Sequence, residues 1–262
     1  MSAEPPVVDV VLSITSIPER VELFLAELGW LARQTARPQA AVIWLGEEHF
    51  PPAARRDLAA RFPLPAGVEI RYRPDLGPQT KLLYALREFA GAPVVTADDD
   101  VIYPPGWLAD LYASYRAAPA HIHCHRAHQI RLAAGGELAP YSEWGWLAPG
   151  LRGPSHLLFP TGTCGTLYPP GALDERVFDL AAMRRLCPTA DDTWFKAMAL
   201  LRGTAAQKVR AASLELPHIP GSERRMLWTL NAGRNDAQLA AVFAEYGLYA
   251  RLAGRDGAHD PS

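Results

Sequence analysis

Val94 to Ala97 is an apolar, β-branched run that stops in three consecutive carboxylates, Asp98, Asp99 and Asp100. Val101-Ile102-Tyr103 and the double proline Pro104-Pro105 follow. The run reads as a short buried strand, and the prolines prevent it from resuming. Three acids therefore project from a strand end with no basic residue beside them in sequence. Crowded carboxylates resist joint ionisation unless a cation compensates them. A hard divalent ion such as Mg²⁺ or Mn²⁺ does so, and commonly bridges protein carboxylates to substrate phosphates. A solvated acidic turn is the competing reading, since Asp favours turns, but such a turn does not need three acids.

Other residues of chemical interest lie further along. Lys81 follows Gly77-Pro78 near a helix start, where backbone N–H groups and the helix dipole suit an anion. Asp191 and Asp192 open an apolar-periodic segment, where acids offset the helix dipole. His218 lies alone between Pro217 and Pro220. His121, His123 and His125 alternate, so a strand would place them on one face, yet their spacing matches no common zinc site. Gly162 to Gly165 reads as a glycine-rich turn and not as a phosphate loop, because no Gly-Lys-Ser/Thr follows. Tyr141, Trp144 and Trp146 suit either stacking on sugar faces or a place in the core.

The elements that must position these residues alternate in type. Strand-like runs cover residues 7–15, 41–45, 68–72 and 94–97. Helical patterns cover 52–61, 80–89 and 106–116, and Ser16-Ile17-Pro18-Glu19 has the spacing of a capping box opening another helix. Such alternation predicts an α/β fold, a doubly wound, mostly parallel sheet with helices on both faces. Ligands of such sheets bind outside the carboxyl ends of the strands, where Thr15 and the three acids lie. The second half is less regular. Residues 121–129 are expected to form one strand, 132–160 a structured loop, and 191–201 and 236–246 helices. The small polar tail from Gly254 to Ser262 is expected to be disordered.

Taken together, Ser13 to Arg20, Gly77 to Leu82 and Asp98 to Trp107 resemble the small bacterial family-2-like glycosyltransferases of GT-A (Rossmann-like) fold, with Thr96 to Asp100 as their DxD motif. The similarity runs from about residue 8 to about residue 245. It implies a single domain over 1–253, with a nucleotide-sugar half at about 7–118 and an acceptor half at about 119–250. It implies that Asp98 and Asp100 hold Mn²⁺ or Mg²⁺ on the donor diphosphate, with His218 completing the metal site. Thr15, Arg20, Lys81, Asp98 and Asp99 would then line the donor pocket. In Thr189-Ala190-Asp191-Asp192 the resemblance implies a general base, Asp192 ahead of Asp191, that deprotonates the acceptor hydroxyl. The implied activity is metal-dependent transfer from a UDP-sugar, with inversion, to a glycan or lipid-linked glycan in bacterial surface polysaccharide synthesis.

Composition sets the outer bounds. The chain has 262 residues, 49% of them hydrophobic and 21% charged, with a formal net charge of -2. No bulk charge draws it to nucleic acid. Cys124, Cys164 and Cys187 lack metal-type spacing and read as reduced thiols, so a cytoplasmic location is expected. No signal peptide is expected, and no apolar run approaches the roughly 18 residues of a membrane span, which leaves peripheral contact with a membrane-borne acceptor. Two rival classes share the fold: a sugar-1-phosphate nucleotidyltransferase and a non-catalytic sugar-binding protein. The first normally opens with a Gly-rich, basic loop, whereas Thr15-Ser16-Ile17-Pro18 stands here.

Overall fold

The computed structural model describes residues 4–222 and 233–253. The tail expected to be disordered, 254–262, lies outside the described residues. Strands β1 (Val7–Thr15), β2 (Arg37–Gly46), β3 (Val68–Arg73), β4 (Val94–Ala97), β5 (Ile122–Cys124), β8 (Thr166–Tyr168) and β9 (Ala206–Lys208) form a seven-stranded sheet in the order β3-β2-β1-β4-β8-β5-β9. Every pairing is parallel except those of β8, which runs antiparallel to both β4 and β5. A separate ribbon pairs β6 (Ala127–Gln129) with β7 (Leu158–Pro160).

Helices cover both faces, and the strand residues divide between them by the two-residue period of the pleat. Val10, Leu12, Ile14, Ile43, Leu45, Val95 and Ala97 point to one side. There they meet α1 (Val21–Glu27), α2 (Gly29–Ala32), α3 (Pro52–Arg61) and α5 (Trp107–Ala117) through Phe24, Trp30, Leu58 and Trp107. Val42, Trp44, Val94 and Tyr168 point to the other. That side is packed by α4 (Thr80–Glu88), α6 (Leu180–Leu186), α7 (Asp191–Arg202) and α8 (Asn235–Tyr246), which supply Leu82, Met183, Trp194 and Phe243. A short α9 (Tyr249–Ala253) follows. Two-faced burial is why the parallel strands read as continuous apolar runs.

Three local expectations are corrected. The capping box at Ser16 does not form: α1 begins at Val21 and has no side-chain cap, because the Ser16 hydroxyl donates instead to Asp99 Oδ2 at 2.5 Å. The single strand expected over 121–129 is two, β5 in the main sheet and β6 in the ribbon, with the chain turning at His125 and Arg126. The loop expected over 132–160 ends in β7. Tight three-residue strands such as β8 and β9 carry no periodicity long enough to read.

Candidate active site

Register places the carboxyl ends of β1 and β4 side by side, since Ile14 pairs with Ala97 and Thr15 pairs with Trp44 of β2. Thr15, Ser16 and Asp98 to Asp100 therefore leave the sheet at one edge. The three acids do not act as one cluster. Asp98 pairs with Lys81, while Asp99 and Asp100 share Arg20.

Asp98 turns toward α4. Its Oδ1 accepts from Lys81 Nζ at 2.7 Å, and its backbone N–H donates to the Tyr103 hydroxyl at 2.8 Å. Lys81 is buried and also lies 3.1 Å from Asp191 Oδ2, in ion-pair rather than hydrogen-bond geometry. The start of α4 is fixed because the Ser13 hydroxyl of β1 donates to the Lys81 carbonyl, while Trp44 Nε1 donates to Ser13 Oγ at 2.7 Å. Burial works against the Lys81 ammonium, but Asp191, Asp98 and Asp192 overcome it and hold its pKa well above the usual lysine value.

Asp192 begins α7 beside Asp191. Both of its carboxylate oxygens face one backbone donor, Gly162 N, at 3.1 and 3.2 Å. Gly162 lies so close to the charges that a β-carbon there would be 3.1 Å from Lys81 Nζ and 3.3 Å from Asp192 Oδ1. Only a residue without a side chain leaves that space open. Burial, then the charge of Asp191, pushes the Asp192 carboxyl up to about 8, with Lys81 pulling the other way. Lys81 thus joins Asp98 at the strand end to the Asp191–Asp192 pair at the helix start.

Asp99 is 3% exposed and serves Arg20. Arg20 Nε donates to Oδ2 at 3.1 Å, and an Arg20 terminal nitrogen lies 2.7 Å from Oδ1, a two-pronged pair that the Ser16 hydroxyl completes. Burial raises the Asp99 pKa, and Arg20 and Ser16 pull it back. Asp100 meets Arg20 at 3.6 Å and His218 Nδ1 at 4.0 Å. Burial and its two acidic neighbours push the Asp100 carboxyl up to about 6. His218 is brought there by a short bridge to Val101, reinforced by Ile219 N donating to Asp100 O at 2.8 Å and Ile102 N donating to Pro217 O at 3.2 Å. Thr15, half-buried, donates to Trp44 O at 3.0 Å.

The structure therefore gathers Asp98, Lys81, Asp191 and Asp192 into one network and Arg20, Asp99, Asp100 and His218 into a second beside it. Among the described residues no three His, Cys, Asp or Glu side chains converge on one point. Asp98 is drawn off by Lys81. Asp100 and His218 nonetheless fit a divalent ion that takes its other ligands from a diphosphate and water. His218 Nδ1 is buried without a hydrogen-bond partner among the described residues, and it faces a carboxylate oxygen.

Sequence reasoning marked the glycine-rich turn of Gly162 to Gly165 but not the backbone N–H that Gly162 supplies, and it missed Tyr103 and Ser13, which support the site from behind. His123 and His125 point inward, bonding Ser114 Oγ and the carbonyls of Ala118 and Trp107.

No protein-family model matches the chain, and no curated protein matches it. Solved structures do. A mannosyltransferase, PcManGT from Pyrobaculum calidifontis, in complex with GDP-Man and Mn²⁺, aligns with a TM-score of 0.50 at 16% identity, over 97% of this chain and 66% of that one. S. aureus TarS 1-349 aligns at a TM-score of 0.45 and 15% identity, over 77% of this chain and 58% of that one. Its complex with UDP gives 0.45 and 14%, over 77% and 57%. The chain spans between 57% and 66% of the length of these proteins. At such identities the likeness is one of fold, and the fold that this chain shares with the mannosyltransferase is the mostly parallel sheet wound with helices.

Proposed function

We propose that this chain is a glycosyltransferase of the GT-A type, moving a sugar from a nucleotide diphosphate to an acceptor hydroxyl with inversion. The observation that carries the reading is the Asp98–Lys81–Asp191–Asp192 network at the carboxyl end of β4, with Gly162 keeping the space beside it open. Residues 7–118 serve the donor and 119–250 the acceptor, within one domain. Thr15, Arg20 and Lys81 face the donor side, and Asp99 acts by fixing Arg20. Asp100 and His218, with Asp98 beside them, hold Mn²⁺ or Mg²⁺. When bound, that ion neutralises the charge that develops on the departing diphosphate.

Asp192 takes the proton from the acceptor hydroxyl. The oxygen then bonds to the anomeric carbon as the bond from that carbon to the diphosphate breaks, and the nucleoside diphosphate leaves. In its ionised form, the minor one at neutral pH, a carboxyl pushed up to about 8 is a stronger base than an ordinary aspartate, so this step should quicken as pH rises toward 8. Gly162 N, facing both oxygens, keeps the carboxylate aimed. The donor is a UDP-sugar, and the acceptor a hydroxyl of a bacterial surface glycan or its lipid-linked precursor, assembled in the cytoplasm. The three cysteines are free and buried, in keeping with a reducing compartment. No described helix is long and apolar enough to cross a membrane. The segment after β1 engages Asp99 through Ser16 and Arg20 and is not a Gly-rich phosphate loop, which weighs against a nucleotidyltransferase.

A thermal-shift screen of nucleotide sugars, with and without Mn²⁺, tests the reading. UDP-sugars should raise the melting temperature only with the metal. Stabilisation by a nucleoside triphosphate together with a sugar phosphate, and not by nucleotide sugars, would replace it with the nucleotidyltransferase.

A further inference from the structure

Trp146 is held at the surface by the residues around it. Among the described residues it and Val7 are the exposed large hydrophobics, and Trp146 is 42% exposed. Its neighbour Trp144 is 4% exposed, packs on Phe159 and donates to Ala139 O, so it belongs to the core. The Trp146 indole lies nearly parallel to the His128 ring, with centroids 3.9 Å apart and planes at 22°. Burial, then the charge of Arg126, pushes the His128 pKa down to about 3, so the ring behind the indole is neutral. The Arg126 guanidinium stands 5.6 Å from the indole.

The backbone that carries this indole is strained and held. Leu147 and Ala148 have φ of 60° and 42°, a left-handed conformation that side chains other than glycine rarely adopt. Such strain persists only where the surroundings over-determine it, and it clusters at ligand clamps. Here the surroundings do so. Leu147 N donates to His128 Nδ1 at 3.0 Å. The buried Lys208 ammonium donates to Leu147 O at 3.0 Å and Ala148 O at 2.7 Å, and Ser213 Oγ donates to Leu147 O at 2.7 Å. On the other flank Gly145 is bridged to Gln129. The same ammonium also donates to Ala211 O at 2.5 Å, so this buried lysine ties the strained turn to the segment after β9, a role that no apolar side chain could fill.

The platform is continuous with the candidate base. Arg126, beside the indole, donates to Thr161 Oγ1 at 2.8 Å, and its carbonyl accepts from Thr161 N at 3.1 Å. The next residue, Gly162, donates to Asp192. We infer that Trp146 is the acceptor-binding platform, a rigid indole on which a pyranose ring of the acceptor glycan stacks its face of C–H groups beside Asp192. An aromatic face offers a sugar what it offers any flat, partly apolar ring, and a tryptophan that is already immobilised loses little freedom on binding. The inference rests on the transferase reading and names the class of its acceptor.

The test is a printed array of neutral and acidic pyranose glycans, probed with labelled wild type, Trp146→Ala and Trp146→Phe. Calorimetric titration of UDP with Mn²⁺ on the same three proteins is the control. Wild type should retain a defined subset of glycans. Trp146→Ala should weaken that retention by about tenfold or more, Trp146→Phe should restore most of it, and UDP affinity should not change in either variant. Equal retention by Trp146→Ala, or no retained glycan in wild type, overturns the inference, and UDP binding that survives in either case leaves the transferase reading standing. Glycan retention that depends on Trp146 in a protein binding no nucleotide upholds the platform and removes the transferase instead.

Discussion

At the scale of single residues, three adjacent aspartates have three different jobs because their partners differ. Asp99 is the structural member. It is buried and gripped by Arg20 and Ser16, so removing it leaves a mostly buried guanidinium without its principal counter-charge. Asp99→Ala should cost about 3 kcal/mol of stability, in the range for breaking a buried pair by deleting one partner. A urea melt within about 0.5 kcal/mol of wild type would make Asp99 a donor contact only. Asp192 makes the opposite prediction. Its carboxyl, pushed up to about 8 from an ordinary 3.8, keeps its proton in the fold over a range where the unfolded chain has lost it. Stability should therefore fall as pH rises from about 4 to about 8. Asparagine carries no such charge and can still accept from Gly162 N. Asp192→Asn should melt above wild type at pH 8, with the gap closing toward pH 4, while transfer drops by about 10²–10⁴-fold. A variant that melts lower at pH 8, or turns over near normally, assigns the base elsewhere.

At the scale of elements, the site depends on how a single 3₁₀ turn, Gly162–Cys164, is threaded between a strand end and two helices. The turn over Gly162 to Gly165 is pinned by Trp107 of α5, whose Nε1 donates to Cys164 O at 2.7 Å. Gly165 has φ +90°, and a β-carbon there would run into the Trp107 ring. Gly165→Ala must therefore displace either the turn or the tryptophan. It should cost about 1–3 kcal/mol and lower transfer as Gly162 loses its aim on Asp192. Denaturant melts and initial rates on the purified variant check both, and a variant unchanged in either would free the turn from this role. This element is also where the sequence was least legible. The apolar run before Asp98 and the acids themselves announced a strand end, because two-faced burial leaves long β-branched runs. The Gly162 donor is a backbone N–H, which every residue except proline possesses, so the glycine-rich turn shows in the sequence but its donor does not. Ser16 misled for a related reason: its spacing to Glu19 suits a cap, and only the fold brings Asp99 close enough to take the hydroxyl first.

At the scale of the whole molecule, the first half of the chain was readable because parallel strands and their crossover helices are long and regular. The second half builds its part of the sheet from three-residue strands whose identity is set by their neighbours: β8 exists because β4 and β5 lie on either side of it. The two halves meet at the carboxyl edge, where Lys81 from the first half binds Asp98 of its own half and Asp191 of the other. That juncture is what the proposed transfer needs, a donor held by one half within reach of a base supplied by the other. The claim on which all of this turns is that the edge binds a nucleotide diphosphate through a divalent ion held by Asp100. Calorimetric titration of UDP into wild type and Asp100→Ala, each with and without Mn²⁺, tests it most directly. Wild type should bind UDP only when Mn²⁺ is present, and Asp100→Ala should lose at least about tenfold in affinity while melting near wild type, since too few hard ligands remain for the ion. UDP binding that ignores the metal, or an Asp100→Ala protein that binds with unchanged, Mn²⁺-dependent affinity, would contradict it.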